Sequence, residues 1–184
     1  MRPYQTAAKQ AIHGEWNAGR LRTLLVLPTG TGKTIVFASV AADQVRAGER
    51  VLILAHRGEL LDQAADKLWK SVRLGSAVEK AEQTSLNSLY RVTVGSVQTM
   101  QRDKRLAQFP PDYFGTIIID EAHHSITDGY QRVLQHFPDA KVLGVTATPD
   151  RGDMRNLGEV FDSLAYEYKL TQAIQDGYLC RIMA

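Results

Sequence analysis

With 184 residues and 22 Lys plus Arg against 20 Asp plus Glu, the chain can bury the core of one domain, and its net charge of +2 is too mild to indicate a nucleic-acid partner by itself. A single cysteine, Cys180, excludes an intrachain disulfide and reads as a small, half-buried hydrophobe. No apolar run is long enough to cross a membrane and no signal segment opens the chain, so a cytoplasmic protein with no membrane partner is expected.

Tyr4, Ala8, Ile12 and Trp16 recur at helical spacing, with Pro3 suited to a first turn and Gly19 to a stop, which predicts an amphipathic helix. Next comes Leu24 to Thr34, LLVLPTGTGKT, in which a buried strand breaks into a glycine loop ending on a lysine and a threonine. Gly30 and Gly32 let the backbone curl so that N–H groups converge on an anion, with Pro28, Thr29 and Thr31 completing the loop. Lys33 adds positive charge, the helix predicted over Ile35 to Val45 adds its N-terminal dipole, and the Thr34 hydroxyl suits Mg2+. The strict phosphate-loop pattern has glycine where Leu27 stands, so the alternative is a plain strand-to-helix turn with an incidental lysine.

Val51 to Ala55 forms a second apolar strand, and HRGELLDQAADKLW then predicts a helix whose inward face carries Leu60, Leu61, Ala64, Ala65, Leu68 and Trp69. His56 and Arg57 fall at the strand's exit, on the sheet edge where the glycine loop also lies. From Gly75 to Tyr90 the pattern weakens to a strand attempt followed by a short helix or loop. Arg91 to Met100 gives a third strand ending near Gln98 and Thr99, which suit phosphate contacts or ordinary helix capping. Arg102, Lys104 and Arg105 read as a solvated helix face.

Thr116 to His124, TIIIDEAHH, is a buried strand that delivers two carboxylates to the same edge. Asp120 can hold Mg2+, and Glu121 can orient or deprotonate a water that attacks a γ-phosphate; alone, the pair would read as helix-start charges. Adjacent His123 and His124 lack the spacing of a helix zinc site and no Cys cluster accompanies them, so no zinc is expected. Lys141 to Thr146 is another strand, running into TATPDRGD with Thr146 and Thr148. A last strand is predicted around Leu164 to Tyr168, followed by a helix and a Gly-Tyr-Leu exit.

These motifs, in this order, resemble superfamily 2 helicases. PTGTGKT resembles motif I, HRGELLDQ motif Ia, DEAH motif II, TAT motif III, and RPYQ the adenine-reading Q motif with Gln5 as its glutamine. The resemblance covers nearly the whole length and implies an α/β fold: a three-layer α/β/α, RecA-like P-loop domain with a mainly parallel sheet. Residues 1–184 would be a single N-terminal RecA-like, ATP-binding domain whose second RecA-like partner is absent from this chain. HRGELLDQ, DEAHH and TATPDRGD look closest to the motor subunits of type III restriction enzymes and to some repair helicases, which favours DNA over RNA. The implied cofactors are ATP and Mg2+. Catalytic roles fall to Glu121 and Lys33. Nucleotide binding falls to Arg2, stacked on the base, and to Gln5 and Pro28 to Thr34, with Thr34 and Asp120 at the metal. Nucleic-acid contacts fall to His56, Arg57, Gln98 and Thr99, and coupling to His123, Thr146 and Thr148. Three alternatives stay open: an RNA helicase motor, a nucleotide-gated clamp without useful hydrolysis, and a small-molecule kinase.

Overall fold

The computed structural model describes residues 1–56, 58–147 and 149–180, without the side chains of residues 59 and 60. Arg57 and Thr148 therefore lie outside the described residues, as does the side chain of Leu60.

Seven strands form one sheet: β1 (Arg22–Val26), β2 (Val51–Ala55), β3 (Ser76–Glu79), β4 (Val92–Ser96), β5 (Thr116–Asp120), β6 (Lys141–Thr146) and β7 (Ser163–Glu167). Their spatial order is β3-β4-β2-β5-β6-β1-β7, and every pairing is parallel. The apolar runs are continuous because the central strands are covered on both faces. Leu25, Ile53, Ile118, Leu143 and Val145 point to one layer, formed with α1 (Pro3–Asn17), α2 (Lys33–Arg46) and α3 (Glu59–Val72). Leu24, Val26, Leu52, Leu54, Ile117, Ile119 and Val142 point to the other. That second layer includes α4 (Val97–Met100), α5 (Asp103–Leu106), α6 (Asp128–His136) and α7 (Arg151–Val160). A 3-10 turn covers Ala122–Ile126, and α8 (Leu170–Gln175) closes the described chain. The arrangement is the expected three-layer α/β/α domain, here with an entirely parallel sheet.

Local expectations meet three corrections. Trp69 is 52% exposed, while Leu61 and Leu68 are fully buried; one residue beyond Leu68 the helix has turned about 100°, carrying the indole off the inward face under the Arg73 guanidinium. Cys180 is exposed rather than half-buried. Between β3 and β4 the chain forms turns, the loop of the two forms expected there. Arg105 does not belong to a solvated face: it donates to the wholly buried Glu79 at 2.7 Å and to the carbonyls of Ala81 and Gln83. Glu79 also accepts from the Thr84 hydroxyl and the Ser85 N–H, so this buried charge is paired and saturated, and it pins the turn region beside β3.

Gly144 in β6 lies between Leu24 and Ile119 in the sheet, and a Cβ there would meet Phe161 at 2.3 Å and Ala122 at 3.0 Å. Its hydrogen allows the Phe161 ring to lie against the sheet. Gly144→Ala should therefore lower unfolding free energy by about 1–3 kcal/mol, measured by chemical denaturation; an unchanged midpoint would show that the ring moves aside freely.

Candidate functional site

A parallel sheet sends all its strand ends to one edge, and the strand order decides which loops become neighbours. Reading β4, β2, β5, β6, β1 along that edge brings together Gln98, His56, Asp120 with Glu121, Thr146 and the glycine loop. Residues scattered over more than a hundred positions thus form one line.

The glycine loop takes the required conformation. Gly30 and Gly32 have φ of +84° and +80°, the left-handed region that favours glycine, and Gly32 opens α2 as its N-cap. Thr31 is buried: its hydroxyl and its N–H both donate to the Pro28 carbonyl, at 2.5 and 3.2 Å, so this side chain shapes the loop from inside. Thr29, Gly30, Gly32, Lys33, Thr34, Lys67, Asp120 and Glu121 line one open cleft of about 450 Å³. Lys67, on α3, is an addition that no motif marked; its distance in sequence from the loop hid it.

Burial first, and then the neighbouring Glu121 charge, push the Asp120 carboxyl above the usual carboxylate range, opposed by the hydrogen bond from the Glu121 N–H and then by the charges of Lys33 and Lys67. A largely buried carboxylate facing the same cleft as the Thr34 hydroxyl is a donor set that fits a hard divalent cation. Glu121 is held at φ +53°, ψ +56°, an uncommon conformation for a non-glycine residue, and its N–H donates to Asp120 Oδ1 at 3.0 Å. From there its carboxylate lies 3.9 Å from Lys33 Nζ and 3.5 Å from His123 Nδ1. His123 Nδ1 also lies 3.4 Å from the Thr146 hydroxyl, linking β5 to the end of β6.

The raised Asp120 titration has a stability consequence. A native state that holds this proton more tightly than the unfolded chain loses stability as pH rises above the ordinary carboxylate range. In metal-free buffer Asp120→Asn should therefore melt higher than the parent at pH 7 and show a flatter pH dependence. Mg2+ should raise the parent's melting temperature and leave the variant's unmoved. A variant that melts below the parent would show that the carboxylate stabilises the empty site.

On the other side of the loop, Met1, Arg2, Gln5, Gly30, Gly32 and Ile35 line a second open cavity of about 530 Å³. Gln5 is 2% exposed; its Oε1 accepts from Arg2 N at 2.8 Å and its Nε2 donates to Thr31 O at 3.1 Å. One donor and one lone pair of the carboxamide remain, so the side chain is tied to the glycine loop and still able to read a base edge. Ile35, 41% exposed, supplies an apolar wall that sequence reading left unassigned.

Farther along the edge, Gln98 is exposed and donates to the His56 carbonyl, and the His56 ring stacks on His124 with centroids 4.1 Å apart. His124 in turn lies 4.2 Å from His123. Thr99 is 4% exposed and its hydroxyl accepts from Ala81 N, while Ser96 caps α4; of the two candidate contacts on this turn, only Gln98 faces outward. Among the described residues no group of three or more His, Cys, Asp or Glu side chains could hold a metal ion.

The family model described as "Type III restriction enzyme, res subunit" matches residues 1–151. The chain is 33% identical over 196 aligned positions to "Putative ATP-dependent helicase IRC3" of Saccharomyces cerevisiae, covering 98% of the chain and 28% of that protein. It is 29% identical to "Type I restriction enzyme EcoAI endonuclease subunit" of Escherichia coli, covering 97% of the chain and 23% of the relative. The chain thus spans less than a third of the length of these curated relatives. The Pyrococcus furiosus Hef helicase domain superposes with a TM-score of 0.72 at 22% identity, over 92% of this chain and 38% of that one. A nuclease-deletion mutant of the Type ISP restriction-modification enzyme LlaGI, in complex with a DNA substrate mimic, gives 0.72 at 19% identity, over 97% and 20%. At these identities the structural likenesses show a shared fold.

Proposed function

The chain belongs to the type III restriction enzyme res subunit family, and from that premise we propose that residues 1–184 are the ATP-binding half of a DNA helicase or translocase motor. The observation that carries the proposal is the convergence of Lys33, Thr34, Asp120 and Glu121 on one cleft beside a glycine loop with two left-handed glycines.

In this reading Lys33 and the loop N–H groups hold the β- and γ-phosphates, and Gln5 and Arg2 hold the adenine. Thr34 and Asp120 would hold Mg2+, which when bound would offset the negative charge of the phosphates. Glu121 accepts a proton as water attacks the γ-phosphorus, and the bond to the bridging oxygen breaks to leave ADP. His123, hydrogen-bonding distance from Thr146 and close to Glu121, orients that carboxylate and relays its state to the end of β6. His56 and Gln98 would face the nucleic-acid backbone. DNA is favoured over RNA by the family and by the restriction-enzyme relatives. A clamp without hydrolysis is disfavoured by Glu121, a base held 3.9 Å from the phosphate-binding lysine.

Part of the engine would be supplied elsewhere. A second RecA-like half, in the same polypeptide or a partner, would contribute arginines that stabilise charge on the transferring phosphoryl group, an effect of about 10³ or more in arginine-finger systems. Residues 1–184 alone should therefore turn over ATP about 10³-fold more slowly than the whole protein and separate no duplex. Whole protein should hydrolyse ATP faster with DNA than with RNA. Robust DNA-stimulated turnover and strand displacement by residues 1–184 alone would contradict the two-half reading, and stimulation by RNA alone would move the substrate class.

A further inference from the structure

Behind Arg2, which lines the cavity beside the glycine loop, packs the last described turn of the chain. Helix α8 ends with Gly177 at φ +77°, and the N–H groups of Tyr178 and Leu179 both return to the Ala173 carbonyl, at 2.9 and 3.1 Å. This cap fixes the direction of the two residues after it. Tyr178 is delivered beneath Arg2, whose guanidinium carbon lies 4.7 Å from the ring centroid. Tyr178 is itself held against Tyr4 at 5.1 Å, and Tyr4 stacks on Tyr168 at 4.2 Å while donating its hydroxyl to the Thr31 carbonyl. Leu179 reaches the loop directly, its Cδ2 lying 3.3 Å from where a Cβ on Gly30 would be.

We infer that Tyr178 is a positioning residue for the nucleotide base: its ring carries the Arg2 guanidinium, so that Arg2 presents a pre-set flat face to the purine in the cavity with Gln5 and Ile35. The inference rests on the ATP-binding reading of this site and adds the residue that makes Arg2 competent. An unsupported arginine side chain has many rotamers, and stacking a base on it would cost the entropy of fixing them. A ring already under the guanidinium removes most of that cost, because cation and aromatic face attract each other and a planar guanidinium stacks on both of its sides. Arg2 Nη1 also lies 3.4 Å from the Tyr4 hydroxyl, so its in-plane direction is set as well. The division of labour is chemical. Gln5 distinguishes the base by its hydrogen-bonding edge, whereas Tyr178 and Arg2 supply stacking that any purine can use.

The test compares ligands that share the phosphates and differ in the base. Affinities of Mg-ATP, Mg-GTP and inorganic tripolyphosphate are measured by competition in the parent, Tyr178→Ala, Tyr178→Phe, Arg2→Ala and the double variant. Tyr178→Ala should weaken both nucleotides by about 3- to 30-fold, leave tripolyphosphate unchanged and preserve the ratio of ATP to GTP. Tyr178→Phe should restore the parent affinities, and in the double variant the two losses should not add. Loss of tripolyphosphate together with ATP would make Tyr178 a brace of the glycine loop and overturn the inference, as would unchanged ATP affinity in Tyr178→Ala. A parent that binds none of the three would instead bring down the nucleotide site itself, and the inference with it.

Discussion

Glu121→Gln in the complete protein should bind Mg-ATP as the parent does and hydrolyse it about 10³-fold more slowly, within the range a single general base contributes. The expectation comes from placement as well as chemistry. Glu121 leaves the strand at φ +53°, so its side chain departs from the direction that strand geometry would give, and its carboxylate meets Lys33 and His123 rather than the sheet. Its N–H donates to Asp120, which ties the base to the proposed metal ligand one residue earlier. Glutamine keeps the length and one acceptor, so His123 loses little, but an amide cannot take the proton from water. Single-turnover hydrolysis with pre-bound nucleotide separates this step from binding and product release. Comparable rates in parent and variant would reduce Glu121 to a strained turn residue with a favourable charge.

Lys33→Ala should lower Mg-ATP affinity on the order of 100-fold, the loss of charge-assisted hydrogen bonds to phosphate. The side chain is 15% exposed and, among the described residues, its ion pair is the long one with Glu121, so its removal strips charge from the cleft without unpicking the core. The variant should accordingly unfold with the parent's cooperativity. It also leaves Asp120 and Glu121 with one fewer neutralising charge, which adds repulsion toward phosphate beyond the lost contact.

Much of this site is legible in the sequence because its parts are strand ends. Each apolar run, from LLVL through VLILA, VTV and TIIID to KVLGV, announces a buried strand, and in a parallel sheet the polar residues that follow must share an edge. The distance between Lys33 and Glu121 in the chain is then no obstacle to their meeting. Helices α6 and α7 escape the same reading because each buries only a few side chains, Tyr130, Val133 and Leu134 in one and Leu157 and Val160 in the other, amid polar residues. Arg105 misleads for a different reason: its partner Glu79 lies 26 residues away, and charge patterning along one helix cannot reveal a buried ion pair made across a turn. Thr99 shows the limit at a motif residue, since its position after a strand is read correctly and its burial is not. Ile35 and Lys67 line the clefts, and Tyr178 packs under Arg2, only through tertiary packing that a pattern of loop motifs does not convey.

The central claim, that the turn from Pro28 to Thr34 is a triphosphate site, is tested most directly by calorimetric titration of residues 1–184 with Mg-ATP, in the parent and in Lys33→Ala. The account predicts one saturable site in the parent that disappears from the measurable range in a variant of unchanged fold. Equal affinity in the two proteins would contradict it.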